Sequence, residues 1–490
     1  MTLQDHDTTP LDDPARWGVS LVAVLALGAQ LHQTWMRYQG CFKTKTRTAS
    51  RYAEFYLMGL LLMNTERTYA NIARRVIDPT DDGQNLQQFM SDSPWAAQDV
   101  MVQVRHELAA TPYFQTGVAI ILDESAEQKA GDHTAGAARQ YNGRMGKVEM
   151  SQVGVFLAMA KEPIWAWIAA TLYLPEVWFT PAFAAERLRL GIPTTRTFQT
   201  KLALGWELIQ QVIHEGLPFE IVLCDDLYGR SGWLRQQMAC AGLTYMADIP
   251  KNTLVYLRKP VLGIPATRGR RGPPATQVQV INGVVPQAVS VVARRSDTRF
   301  ERILVRQTER GELNDPFAAR RVWVIEEGVV AELWLVIRQE TPVTWSYALS
   351  NQPATASFAE LVWQKCRRYA IECANREAKA ELGFDTLQAQ KYLAWEHHLA
   401  LTVLAAWFLA QLRVAWMETY AHDPTLTAQL EVVQLPALSV ANVRELLQAV
   451  VPLHQLSPEE AIDLVVRHLI NRGRSTASRL KTQERSRGPT

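Results

Sequence analysis

Two short apolar runs, each closed by an aspartate, constrain this chain more than any other feature. Residues 118–122 (Val-Ala-Ile-Ile-Leu) stop at Asp123, and residues 219–224 (Phe-Glu-Ile-Val-Leu-Cys) stop at Asp225. Runs this short, rich in β-branched residues, read as buried strands. Carboxylates at the ends of adjacent strands converge on one side of a sheet. A third acid, Glu372, lies in the helical segment Arg368-Tyr369-Ala370-Ile371-Glu372. A single strand-end aspartate more commonly caps a loop. Two of them followed by a helical glutamate suggest a site for two divalent metals, which drives in-line phosphoryl transfer. Magnesium suits such a site, because it is hard, keeps several waters and needs few carboxylates per ion. Arg368, Glu372 and Lys379 stand at i, i+4 and i+11, so on a regular α-helix they share one face. Basic residues beside a metal-ligating acid can hold the phosphates that flank a scissile bond. The plainer alternative is a solvated helix face with an Arg–Glu pair, worth about 0.2–0.5 kcal/mol.

The order of elements extends this to a fold class. Residues 15–112 read as helical, with Tyr52, Phe55, Tyr56, Gly59 and Leu60 at helical spacing. Ser93-Pro94-Trp95 reads as a helix start, Ser as N-cap and Pro at the first helical position. Short helices on either side of the turn at 78–83 are compatible with a helix-turn-helix and equally with simple packing units. Strands are predicted at 117–122, 148–158 and 164–174, and helices at 181–191 and 198–215. The strand at 219–224 is followed by a helix at 231–241 and a strand at 244–248. That order matches a ribonuclease H-like core. Strand-like alternation then covers 276–281, 289–293, 301–307, 321–325 and 329–338, a β-strand insertion between Asp225 and the final helix. Helical periodicity returns from 357 to about 420. The fold class expected is α/β, a ribonuclease H-like core interrupted by a β-strand insertion. The boundaries are 1–112 for an N-terminal helical DNA-binding region, 113–250 for the first part of the core and 251–343 for a basic loop and the insertion. The final core helices with Glu372 take 344–420, and helices with a basic tail take 421–490.

At 490 residues and 48% hydrophobic content the chain can bury several cores. Its net charge of +2 hides an uneven layout. Residues 37–51 carry five basic residues and no acid, 251–274 carry six and none, and 467–487 carry seven and one. Within 251–274 lie Arg268, Arg270 and Arg271. Such stretches are either local polyanion contacts or solvated loops. The five cysteines are odd in number and form no CxxC pair, so neither a disulfide framework nor a zinc site is suggested, and a reducing compartment fits. No signal peptide is expected, because acids precede the first apolar run. The runs at 19–29 and 399–412 are short for a bilayer, which takes about 20 apolar residues, and read as buried helices. No P-loop motif occurs, so nucleotide hydrolysis and a nucleotide cofactor are not expected.

Longer motifs carry a resemblance. They are Tyr56-Leu57-Met58-Gly59-Leu60-Leu61, Ser91-Asp92-Ser93-Pro94-Trp95, Asp123 with Lys129-Ala130-Gly131, and the stretches 138–147 and 151–155. They continue in Cys224-Asp225-Asp226-Leu227-Tyr228-Gly229 and in Arg368 to Glu372 with Lys379 and Glu381-Leu382-Gly383-Phe384. Over roughly residues 45–415 the chain resembles DDE transposases of bacterial insertion sequences, most closely the insertion-sequence-701 family. The resemblance implies that Asp123, Asp225 and Glu372 bind two Mg²⁺ ions, with Mn²⁺ as a substitute. Arg368 and Lys379 match the R…E……K signature; the tyrosine that often opens it is Lys365 here, a basic residue that can meet a phosphate. Asp123 and Asp225 match the motif rather than their neighbours Glu124 and Asp226. The implied activity is cut-and-paste transposition: binding of terminal inverted repeats, strand cleavage and strand transfer. The implied partners are double-stranded DNA, gripped by Lys129 and the loop arginines among others, and a second copy of the chain on DNA, with no membrane. The implied location is the bacterial cytoplasm, at the nucleoid. A transposase-derived DNA-binding protein that no longer cuts is the alternative, and the presence of all three acids argues against it.

Overall fold

A computed structural model describes residues 11–45, 48–143, 145–265, 276–308 and 311–486. The chain divides into two compact units. One gathers Met1–Ala96, Lys379–Ala389 and Trp416–Thr490, and the other Ala97–Ala378 with Gln390–Ala415.

The first unit opens with helices α1 (Leu21–Tyr38), α2 (Ser50–Leu62), α3 (Tyr69–Ile72) and α4 (Gln84–Ser91). Ser20 caps α1 by accepting from the Ala23 amide. The expectation that residues 19–29 are buried is corrected: Leu21, Val22 and Leu25 on α1 are exposed. The helix also runs further than the apolar run, so that Pro14–Phe42 is long and apolar enough to cross a membrane by length and composition. Ser93-Pro94 does not start a helix either, and the next one, α5, covers Ala97–Ala110. Trp95 supplies the reason. Its ring stacks on Phe89 with centroids 5.5 Å apart and meets Phe42 edge-on at 4.8 Å, which anchors the segment ahead of α5.

The second unit is built on one mixed ten-stranded sheet. Its strands are β1 (Ala119–Gln128), β2 (Ala138–Asn142), β3 (Lys147–Lys161), β4 (Ile164–Tyr173), β5 (Ile221–Cys224), β6 (Tyr245–Ile249), β7 (Glu301–Thr308), β8 (Gly311–Glu326), β9 (Val329–Gln339) and β10 (Trp345–Ser350). Helices α6 (Ala184–Arg189) and α7 (Lys201–His214) fall between β4 and β5, and α8 (Asp226–Gly229) and α9 (Gly232–Cys240) between β5 and β6. The strand order is β7-β8-β9-β10-β6-β5-β1-β3-β2, with β4 also on β3. Among the described residues only β1–β5 and β5–β6 pair in parallel. Their buried residues explain the apolar runs, because a strand covered on both faces needs no polar alternation.

The insertion differs from expectation in two ways. Its strands are not a separate block: β9 pairs with β10, a strand just past the insertion where only helices were expected, and β10 pairs with β6, so β7 to β10 extend the core sheet. Residues Val289–Ala293 form helix α10, not a strand. There Val289, Val292 and Ala293 are buried at i, i+3 and i+4, a helical period that β-branched composition disguises. Of 276–281, only Gln279–Val280 pairs, in a short ribbon with Leu262–Gly263.

After the sheet come α11 (Phe358–Arg367), α12 (Tyr369–Arg376) and α13 (Tyr392–Tyr420). The apolar window of α13 would also span a membrane by length and composition, but 78% of it is buried within the chain. The first unit closes with α14 (Pro424–Gln429), α15 (Val440–Val450) and α16 (Pro458–Ser486).

Candidate active site

Parallel register brings the two aspartates together. Leu122 pairs with Cys224 as the last step of the β1–β5 ladder, and Asp123 and Asp225 are the next residues on each strand. β1 continues past Asp123, which pairs with Phe156 of β3, whereas β5 stops at Cys224. Asp123 therefore sits mid-strand, where its parallel neighbour has ended. Asp225 begins the single turn of α8, and its Oδ1 accepts from the amides of Leu227 and Tyr228 at 3.1 and 3.2 Å.

Successive strand residues point to opposite faces. Asp123 turns toward Arg368, with its Oδ2 3.9 Å from Nη1, while Glu124 turns to Lys201 of α7 at 2.5 Å. Asp226 is exposed and pairs with Arg230 at 3.1 Å.

The third acid arrives from α12. Arg368, at the junction of α11 and α12, donates through Nη2 to Glu372 Oε1 at 2.7 Å. Its Nε donates to Asp248 Oδ2 at 3.2 Å. Asp248 was not singled out from the sequence, although it follows Met246-Ala247 on β6 in the same apolar-then-Asp pattern. Lys365, one turn before Arg368, lies 2.5 Å from Asp248 Oδ1 with its side chain only 4% exposed. It is thus an inward partner of Asp248 rather than a surface group offered to phosphate.

Burial dominates the electrostatics. It pushes the Asp123 carboxyl up to about 7, with the Asp225 charge adding and Arg368 opposing. Burial raises Asp225 to about 6, opposed by the Tyr228 amide and then by Arg368. Burial disfavours the charge on Arg368, but Asp248, Asp123, Glu372 and Asp225 together raise its pKa. Among the described residues the Tyr228 hydroxyl is buried with no hydrogen-bond partner, near Glu124, Asp123 and Asp225.

α12 ends at Arg376, and Lys379 lies on a π-turn, Glu377–Glu381. A π-turn bonds i to i+5, so the α-helical spacing that put Lys379 on the face of Glu372 is not kept. Lys379 also belongs to the first unit, whereas Glu372 belongs to the second. Lys129 follows the end of β1 and its amide donates to Met150 O at 3.0 Å. At about 3.3 Å per residue it is roughly 20 Å along the strand from Asp123. Arg268, Arg270 and Arg271 lie outside the described residues.

The donor set fits a hard divalent cation. Among the described residues no three His, Cys, Asp or Glu side chains stand as a ready-made cage. Magnesium does not need one, since one or two carboxylates, water and substrate phosphates usually complete its shell. Two adjacent half-buried carboxylates with raised pKa values make a region that binding of a cation would relieve.

The class that fold and site define is a mixed α/β sheet with two acids at the end of its parallel strands and a third on a following helix. Residues 37–312 match the family described as DDE superfamily endonuclease, and the chain belongs to that family. The matched stretch holds Asp123 and Asp225 and stops before Glu372. The chain is also similar to the probable transposase for insertion sequence element IS701 of Microchaete diplosiphon, 30% identical over 193 residues. That match spans 36% of this chain and 46% of the relative, less than half of either.

Proposed function

We propose that the chain is a DNA transposase with a ribonuclease H-like core, which binds the terminal inverted repeats of its element, cleaves there and joins the freed 3′-hydroxyl to target DNA. One observation carries the reading: Asp123 and Asp225 stand side by side where the parallel ladder ends, half-buried and raised in pKa. Family membership and the order β4-β3-β1-β5-β6 around these acids support it.

Asp123, Asp225 and Glu372 would hold two Mg²⁺ ions. When bound, the ions supply positive charge to the attacking and leaving oxygens of an in-line displacement. The chain's own residues supply the rest. The α8 amides fix the Asp225 carboxylate, the sheet fixes Asp123, and Glu372, 59% exposed, is the ligand able to move. Arg368 lies within reach of a phosphate at the site. Lys379, Lys129 and Arg268, Arg270 and Arg271 act on the DNA backbone. The helical unit that contains α1 to α4 recognises the element ends. Two ends must be held at once, so the working form is a homodimer on DNA.

The test is supercoiled DNA carrying the element ends, incubated with the full chain and Mg²⁺. Nicking and strand transfer are expected, and Asp123→Ala, Asp225→Ala and Glu372→Ala each abolish both while leaving end binding. End binding without nicking by the wild-type chain would leave a transposase-derived DNA-binding protein as the function.

A further inference from the structure

Arg368 stands in the middle of the acids rather than beside them. Its Nε is 3.2 Å from Asp248 Oδ2, its Nη2 2.7 Å from Glu372 Oε1 and its Nη1 3.9 Å from Asp123 Oδ2. One planar fork thus faces carboxylates from β6, α12 and β1. Its side chain is 27% exposed, so the charge is largely withdrawn from solvent. An arginine placed only to grip a phosphate would turn its Nη groups outward. This one turns both toward the carboxylates that a cation would use, and anchors its Nε on a fourth acid.

We infer that Arg368 is an internal counter-ion that a divalent cation must displace. In the metal-free chain its guanidinium neutralises Asp123 and Glu372. Cation binding takes over those two carboxylates, and Asp248 keeps the released arginine tethered at the edge of the site, where a DNA phosphate can accept its Nη groups. This rests on the metal reading of the same site and adds a competition to it. The competition has a definite sign. Removing the guanidinium removes a competitor and also makes the site more negative, and both changes favour the cation. The same removal leaves Asp123 facing Asp225 unscreened, which weakens the metal-free fold.

The experiment uses Mn²⁺ alone with the full-length chain and no DNA, following the free ion by its paramagnetic resonance. Arg368→Gln is expected to bind Mn²⁺ about tenfold more tightly than wild type, the effect of one nearby charge at moderate screening. Arg368→Lys, which keeps the charge, is expected to stay near wild type. Without Mn²⁺, Arg368→Gln is expected to melt at a lower temperature. Equal or weaker Mn²⁺ binding by Arg368→Gln, with wild type binding normally, overturns the inference and leaves the metal reading intact. Absence of Mn²⁺ binding by both proteins overturns the metal reading, and the inference with it. Wild-type crystals soaked in Mn²⁺ give a check that needs no variant. Nη2 should leave Glu372 while Nε stays on Asp248; persistence of the 2.7 Å contact beside bound Mn²⁺ overturns the proposal.

Discussion

The environment of Asp123 opposes its charge: its pKa is raised from 3.8 to about 7, mainly by burial and then by Asp225. A carboxyl with a folded pKa above its unfolded one favours the fold while protonated. That contribution is whole below about pH 4 and is lost as pH rises through about 7. The chain in EDTA should therefore melt several degrees lower at pH 7.5 than at pH 5. Asp123→Asn should flatten that slope by about one proton, with Asp225 supplying what remains, and should abolish cleavage. An unchanged slope in Asp123→Asn would show that the burial does not act as described. Lys365 gives a second residue-level expectation. Lys365→Met leaves Asp248 with Arg368 alone and should cost about 3 kcal/mol, the low end for breaking a buried pair from one side. DNA affinity should not change; a loss of affinity without loss of stability would restore Lys365 to the phosphate contacts. At this scale the aspartates were legible because apolar runs stop at them, and Arg368 with Glu372 because they are four apart on a helix. The Lys365–Asp248 pair was not, since its members lie 117 residues apart and meet only once β6 is in the sheet.

Among the elements, α8 is a single turn on which the site depends. Its four residues, Asp226–Gly229, lie between β5 and β6, and its amides hold Asp225. A Cβ on Gly229 would come 1.9 Å from the carbonyl oxygen of Asp248. Backbone would meet side chain with no rotamer to escape into, so α8 itself must shift. Gly229→Ala should cost about 1–3 kcal/mol, the usual range for overpacking. Because α8 carries the Asp225 cap and presses on Asp248, cleavage should fall as well. Denaturant melts and a nicking assay check this together; wild-type values in both would mean that α8 yields freely. The motif that ends in Gly229 was visible in the sequence, but its reason, a helix pressed onto a strand backbone, is not. Element type was most legible where burial was two-sided, in β1, β3, β4 and β5. It was least legible at α10, where five residues of Val, Ser and Ala suit either period. The register across α12 was misread because nothing in Glu377 to Glu381 marks a π-turn.

At the scale of the whole molecule, the helical unit is not a contiguous domain, and Arg444 shows what that implies. Arg444 on α15 donates Nε to Leu61 O at 2.9 Å and Nη2 to Met63 O at 2.6 Å. It also pairs with Glu381 at 2.7 Å. A single side chain, 5% exposed, thus ties together segments near residues 60, 380 and 440. Arg67 adds to the seam by donating to Glu381 O at 2.6 Å. Sequence periodicity marks each helix but is silent on which distant helices share a core, so a break near residue 112 looked natural. Cut there, the fragment would keep Leu61, Met63 and Arg67 and lose every partner that α15 and the 379–389 segment provide. Arg444→Met in the full chain should cost about 3–5 kcal/mol, because Glu381 and two buried carbonyls lose their charged donor at once. A fragment of residues 1–112 should be helical but melt without a cooperative transition, and should show no preference for element ends over random DNA. Circular dichroism and a competition binding assay decide it. A cooperative melt with end preference in the fragment would mean that the first helices fold alone and that Arg444 fastens a tail onto a finished domain. Loss of both would mean that the later segments are part of the fold that reads the DNA.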